Sequence, residues 1–245
     1  MTLKNKNVVI TGCSRGLGLS VSIELVNQGA NIYGISRSLS ENYMALMQKY
    51  PDNVFFKSYD LKKTESIKKE IIDDYIPNQI KIHGFVNNAA TAYDDIITNM
   101  NLDRLEEMYK SNVFSPFLIT KYIIRNMIYN RIKGSIVHLS SISVHTGYKG
   151  LSMYASTKGA LEAFSKNTAR EWGEKGIRSN CLVAGFMETD MSSKLSDDLK
   201  GRIYNRTSLK TPTSINSVAC TISFLLSDNA YSITGQNIHV DSGTI

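Results

Sequence analysis

No apolar run in this chain is long enough to cross a bilayer. Runs such as NVVIT and SIVHL are only a few residues long, against the roughly 20 that a spanning helix needs. The opening stretch MTLKNKNVVITG has neither the long apolar segment nor the small-residue cleavage site of a secretory signal. Cysteine is scarce: Cys13, Cys181 and Cys220 are odd in number, widely spaced and without a CxxC pair. That argues against a disulfide framework or a zinc site, and fits a reducing cytoplasm. His138, His145 and His239 show no metal-ligand spacing either and read as structural or pocket-lining. No Pro/Gly-rich linker, composition shift or fixed-period repeat interrupts the 245 residues, so one domain over 1–245 is expected. Charge is not segregated. The net charge is +6, but groups such as LKK and IKKE are broken up by acids. A nucleic-acid binder would cluster its basic residues. What remains is a solvated basic surface, or attraction for an anionic ligand such as a phosphorylated cofactor or an acidic carrier.

What is present is alternation. Short apolar runs (KNVVITG, ANIYGISRS, NVFFKSYDL, IHGFVNNAA, GSIVHLSS, IRSNCLVAG and GQNIHVDSG) read as seven strands. Between them lie helical patterns. GLGLSVSIELVNQG closes at Gly29, SENYMALMQKYP follows the second strand, and TESIKKEIIDDYI opens on a Thr cap. Long helical regions are expected over 103–129 and 153–175, and SINSVACTISFLLS reads as the last helix. Alternation of this kind predicts an α/β fold: one doubly wound, Rossmann-type parallel sheet of about seven strands with helices on both faces. The segment 186–213 is polar and irregular, and reads as a mobile flap.

The first strand runs into VVITGCSRGLGLS, where Gly12, Gly16 and Gly18 stand in GxxxGxG spacing. Glycines there permit a tight turn and close backbone approach, and the helix N-terminus offers free N–H groups to a pyrophosphate. The turn residues Gly12, Ser14, Arg15, Gly16, Leu17 and Gly18 are therefore candidate cofactor ligands. The second strand ends YGISRS, without the acid that would accept the adenosine 2′-OH. Arg37 there, helped by Arg15, can pair with a 2′-phosphate, which predicts NADP(H). Two exposed surface arginines are the alternative.

Several motifs then coincide in order: TGCSRGLG, DL at Asp60–Leu61, NNAA at Asn87–Ala90, SN at Ser111–Asn112, SS at Ser140–Ser141, YASTK at Tyr154–Lys158, and ITGQNIHVDSG. Over essentially the whole chain the sequence resembles the short-chain dehydrogenase/reductase family. It is closest in flavour to the 3-oxoacyl-[acyl-carrier-protein] reductases, judging from TGCSRGLG, AREWGEKGIRSN, AGFMETDM and ITGQNIHVDSG. The resemblance implies a catalytic tetrad of Asn112, Ser141, Tyr154 and Lys158, with Ser141 preferred over Ser140 and Ser143 by its 13-residue spacing before the tyrosine. It also implies that Asp60 and Leu61 lie near the adenine and that Asn87 and Ala89 flank a ribose. Thr189 should meet the carboxamide or a nearby phosphate, and Tyr154 and Lys158 should also touch the cofactor. Two departures stand out: Ala184-Gly185 replaces the usual Pro-Gly, so the loop at Gly185 is expected to be looser, and VDSG replaces VDGG.

Tyr154 and Lys158 are one helical turn apart and share a face. A nearby ammonium favours the phenolate, so the pair can serve as general acid in reduction and base in oxidation. Ser141, at a strand end, can stabilise a developing oxyanion. The resemblance gives Asn112 the support of a relay water. For substrate, Ser141, Tyr148, Tyr154 and Phe186 are the candidates, with Tyr93, Met153, Met187 and the loop 144–150 around them. They suit a partly apolar carbonyl compound or alcohol, free or carrier-bound, with Arg131, Lys133 and Lys175 as possible carrier contacts. NADP-dependent reduction of a sugar, polyol or other ketone is the alternative, and a non-catalytic NADP-binding sensor a third reading. Apolar residues on several sides of the two long helices, and the family resemblance, predict a homo-oligomer, a dimer or tetramer.

Overall fold

A computed structural model describes residues 3–189 and 196–244. Seven strands form one sheet in the order β3-β2-β1-β4-β5-β6-β7. They are β1 (Asn7–Thr11), β2 (Asn31–Ser36), β3 (Val54–Ser58), β4 (Ile82–Asn87), β5 (Ser135–Ser141), β6 (Arg178–Ala184) and β7 (Asn237–Val240). Every pairing is parallel, as expected. The helices are α1 (Gly16–Asn27), α2 (Glu41–Lys49), α3 (Leu102–Tyr109), α4 (Ser115–Tyr129), α5 (Ser143–Thr146), α6 (Ser152–Trp172), α7 (Asp197–Arg206) and α8 (Ile215–Leu226). Among the described residues no helix is long and apolar enough to cross a membrane.

The strands are apolar on both faces because two layers cover them. Val8 and Ile10 point into one core with Val21 and Leu25 of α1 and Val218, Ile222 and Leu225 of α8. Val9, between them, points into the other core with Ile119, Ile123 and Met127 of α4. Period-two alternation thus feeds two cores from one strand. Strand order reverses between β1 and β4, and such a switch point opens a crevice at the carboxyl ends of the strands.

Three expectations need correction. TESIKKEIIDDYI is not an α-helix. It is a 3-10 turn (Thr64–Ser66) followed by a π-segment (Lys68–Asp73), and Lys63, not a threonine, precedes it. The buried side chains Ile67, Ile71 and Ile76 explain this. The five-residue step from Ile71 to Ile76 needs a wider turn, and Ile76 N–H donates to the Ile71 carbonyl at 2.9 Å. Likewise the helix expected over 103–129 is broken: a π-turn (Lys110–Phe114) separates α3 from α4. Pro116, the second residue of α4, has no N–H to return to the Asn112 carbonyl. Finally, the flap contains a regular helix, α7. Ser196 caps it by accepting from Leu199 N–H at 3.4 Å, and Asp197 and Asp198 sit in its first turn. Residues 190–195 of the flap lie outside the described residues.

Candidate active site

The crevice is a cavity of about 560 Å³. Its floor is the turn after β1. Gly12 has φ +69°, and a Cβ there would stand 2.8 Å from Asn88 Nδ2 and 2.9 Å from Ala89 Cα. A Cβ on Gly18 would overlap the Gly12 carbonyl oxygen outright. Gly16 differs: its φ is +54°, and the nearest atoms to a Cβ are those of Thr189 at 3.9 Å. Two glycines therefore let β1, β4 and α1 close on each other, while the third leaves room in the crevice. Arg15 at the N-cap of α1 gives no side-chain cap, and the first turn holds no acid. An uncapped helix start with no competing carboxylate suits an anionic pyrophosphate.

Ser14, Arg15, Leu17, Arg37, Asp60, Leu61, Ala89, Tyr154, Lys158 and Thr189 line this cavity together with Gly12, Gly16 and Gly18. Ser36 and Ser38 flank Arg37 in the wall. Cys13 beneath them is a buried filler, its thiol pushed up to about 11 by burial.

Asn87 is not in the wall. Its amide is buried against Thr11 Oγ1 at 3.5 Å and His138 Nδ1 at 3.3 Å. The neighbouring Asn88 lines the cavity and ties the turn, donating to the carbonyls of Thr11 at 2.9 Å and Gly12 at 3.1 Å. Two adjacent asparagines in a strand-end point opposite ways, a distinction that needed the strand's phase. Gly185 is not in the wall either. A Cβ on it would overlap the Thr213 hydroxyl and come within 2.6 Å of Asp241 Cα, so it serves close packing. At this position Gly185 N–H donates to the Val240 carbonyl at 2.9 Å, and the Ala184 carbonyl accepts from Ile142 N–H at 3.1 Å.

The three serines at the end of β5 have distinct roles. Ser140 is buried and its hydroxyl donates to Glu162. Ser143 donates both its N–H, at 3.2 Å, and its hydroxyl, at 3.0 Å, to Ser141 Oγ. A hydroxyl has one proton and two acceptor positions. With both acceptor positions engaged, Ser141 keeps its proton to give to a third group.

Lys158 Nζ donates to the Leu139 carbonyl at 2.7 Å and stands 5.6 Å from the centre of the Tyr154 ring. Burial lowers Lys158 to about 8. Burial, with a smaller push from Asp94, raises the Tyr154 phenol above its ordinary range. The expected lowering by the ammonium is thus outweighed by desolvation. Asn112 makes all four hydrogen bonds an amide can make: it accepts from Thr91 N–H at 2.9 Å and Ser111 Oγ at 3.0 Å, and donates to Thr91 O at 2.8 Å and Thr157 Oγ1 at 3.2 Å. It therefore fastens the loop after β4 to α6, beside Lys158. Ser141, Asn112, Tyr148 and Phe186 lie outside the cavity lining, whereas Ser140 and Met187 are part of it. Phe186 packs on Tyr204 of α7, ring centres 6.1 Å apart, and Tyr204 donates to Glu188 at 2.6 Å.

A doubly wound sheet, a glycine turn at its switch point, and a Ser–Tyr–Lys set at the same strand ends define a dinucleotide-binding oxidoreductase. A family model described as Enoyl-(Acyl carrier protein) reductase matches residues 12–244. The chain belongs to the short-chain dehydrogenase/reductase family. Its relatives include proteins named 3-oxoacyl-[acyl-carrier-protein] reductase FabG. The one from Staphylococcus epidermidis is 31% identical over 242 residues, covering 98% of each chain. The one from Chlamydia trachomatis is 32% identical over 244 residues, again covering 98% of each. Among solved structures, a gluconate 5-dehydrogenase from Burkholderia cenocepacia, in complex with NADP and tartrate, aligns with TM-score 0.91 at 24% identity, over 99% of this chain and 96% of that one. A putative 2-deoxy-D-gluconate 3-dehydrogenase from Agrobacterium tumefaciens, with bound NADP, also gives 0.91, at 22% identity, over 99% and 97%.

Proposed function

We propose that the chain is an NADP(H)-dependent reductase of a ketone, of the 3-oxoacyl-[acyl-carrier-protein] reductase type. The observation that carries this reading is the convergence of Tyr154, Lys158 and the uncapped start of α1 on one cavity. Arg37 and Arg15 in its wall, without an acid at the end of β2, suit a 2′-phosphate. When bound, the nicotinamide supplies or accepts the hydride. The chain's own residues handle the oxygen and its proton. Ser141 gives its free O–H to the carbonyl oxygen and to the negative charge that develops there. Tyr154, held protonated by burial, donates the proton to that oxygen. Lys158, anchored on Leu139, presents its N–H groups to the ribose side of the same cavity. The Asn112 amide is fully used, so its share of a relay falls to its backbone carbonyl, to which Pro116 cannot donate.

Tyr93, Met108 and Met153 form a buried apolar cluster against which Tyr154 packs, and an acyl chain placed at Tyr154 would lie near it. A second reading, reduction of a keto sugar or polyol, is favoured by Asp94, whose charge reaches Tyr154. Its carboxylate can accept substrate hydroxyls. A carrier-bound substrate brings an acidic partner. Lys133 packs against Gly176, next to Lys175, and Arg131 is two residues away, so these basic groups share one surface. A homo-oligomer is supported by Leu102 (59% exposed), Phe114 (50%) and Tyr129 (73%), apolar side chains along α3 and α4; light scattering showing a monomer at working concentration refutes it. Free cysteines, two of them buried, suit a reducing cytoplasm. The test of the reaction is NADPH absorbance with acetoacetyl thioesters, keto sugars and cyclic ketones. Turnover of a thioester above the others supports the first reading, and turnover of keto sugars alone supports the second. No consumption with any ketone refutes both.

A further inference from the structure

Helix α6 carries a third ionisable residue one turn beyond Lys158. Glu162 is buried, with its side chain 10% exposed, yet no step of the reaction uses it. Its carboxylate gathers three donors from three elements. Ser140 of β5 donates its hydroxyl to Oε1. His145 of α5 meets the same oxygen through Nε2 at 3.0 Å. Asn237 of β7 donates Nδ2 to Oε2 at 2.6 Å. The His145 ring is in turn braced edge-on by His239, at 4.9 Å between centres.

These contacts bracket Ser141. The residue before it is held by Glu162 through Ser140. The residue that orients its hydroxyl, Ser143, belongs to the same short helix as His145. The carbonyl two residues before it is held by Lys158. Two successive turns of α6 therefore fix the end of β5, and Glu162 also fixes the start of α5. A buried carboxylate is costly to desolvate, and an apolar residue of similar size would stabilise the core as well or better. What the carboxylate adds is geometry.

We propose that Glu162 is a positioning residue that sets the orientation of the Ser141 hydroxyl by clamping Ser140 and His145 to the helix bearing Tyr154 and Lys158. This rests on the reductase reading above. The test compares wild type, Glu162→Leu, Glu162→Gln and His145→Leu in the full chain, using whichever ketone the wild type reduces fastest. NADPH affinity is followed by fluorescence and folding by thermal melting.

Glu162→Leu lowers kcat about tenfold or more, the scale on which misplacement of a reacting group acts, with NADPH affinity changed less than about twofold because Glu162 does not line the cofactor cavity. Glu162→Gln keeps kcat within about threefold, since its amide oxygen still accepts from Ser140 and His145 and the Asn237 amide can turn to accept from its NH2. His145→Leu removes only the α5 branch at a partly exposed site and lowers kcat without lowering the melting temperature; it decides the matter if Glu162→Leu does not fold. Wild-type kcat in His145→Leu and in folded Glu162→Leu overturns the proposal. So does a Glu162→Gln as impaired as Glu162→Leu, because charge and not geometry would then be the cause. A wild type inactive on every ketone overturns the reductase reading, and this role with it. Activity that needs Ser141 but ignores Glu162 and His145 overturns the positioning role alone.

Discussion

Gly18→Ala is the sharpest test of how the turn after β1 is built. A Cβ at Gly18 overlaps the Gly12 carbonyl oxygen, and stands 2.7 Å from Asn88 Nδ2 and 2.8 Å from the Gly12 carbonyl carbon. The first and last of these neighbours are backbone, and Asn88 is already committed to the same carbonyl at 3.1 Å. Nothing flexible can step aside, so the turn must open. Overpacking of this kind costs about 3 kcal/mol, while alanine in a helix returns about 1 kcal/mol relative to glycine. The net loss is about 2 kcal/mol, a fall in melting temperature of about 4–8 °C for a chain of this size. Opening the turn also withdraws the N–H groups of α1, so NADPH affinity falls in parallel. Gly16→Ala is the control. Its Cβ meets nothing closer than 3.9 Å, but φ is +54°, so only backbone strain of about 1–2 kcal/mol opposes it. Differential scanning fluorimetry and NADPH fluorescence titration read both variants. A Gly18→Ala chain that melts and binds like wild type refutes the close-approach reading.

Other expectations follow from the same site. Tyr154→Phe lowers kcat by a factor of about 100 or more with NADPH binding retained, measured by stopped-flow absorbance and fluorescence; full activity refutes the acid assignment. Ser141→Ala lowers kcat about 100-fold, whereas full turnover removes the oxyanion role. Arg37→Ala raises the KM for NADPH at least about tenfold and leaves that for NADH nearly unchanged, as loss of a charge-assisted pair requires; equal effects on the two cofactors refute the 2′-phosphate contact. His138 is fully buried and burial lowers it to about 3. Between its ordinary value near 6.5 and that value the unfolded chain binds a proton that the folded chain refuses, so stability falls as pH drops, by at most about 1.4 kcal/mol per unit for this one group. His138→Phe should flatten urea midpoints measured from pH 7 to 4.5, and an unchanged slope refutes the assignment.

Much of this architecture is legible in the sequence because parallel strands buried on both faces are continuous apolar runs, and the order of those runs sets the topology. The glycine turn is legible for the same physical reason that makes it necessary: only glycine fits at Gly12 and Gly18. What escapes is set by neighbours distant in sequence. The fault at Ile71–Ile76 follows from a face chosen by the sheet beneath it. The Ser-Asp-Asp signal at 196–198 that starts α7 is visible, but the polar residues around it read as irregular chain. Asn87 and Asn88 exchange roles because strand phase decides which side chain reaches the crevice. Glu162 is invisible as a site residue, since its three partners lie 17, 22 and 75 positions away.

The Tyr154–Lys158 pair shows where spacing alone stops short. An i, i+4 tyrosine and lysine share a face, and an ammonium beside a phenol favours the phenolate. Its sign does not decide the outcome here, because desolvation and the Asp94 charge act on the phenol in the opposite direction. Desolvation works against each charged form, raising the phenol and lowering the ammonium to about 8. Left to the chain's own groups, Tyr154 is protonated throughout the neutral range. That is the state a proton donor needs and the wrong state for a base. Asp94 strengthens the bias, its negative charge disfavouring the phenolate further. Burial and the Asp94 charge thus favour the protonated phenol, the form a proton donor needs. Running the site toward oxidation requires an added positive charge beside the phenol, and Lys158, 5.6 Å from the ring centre, is the cation the structure places there.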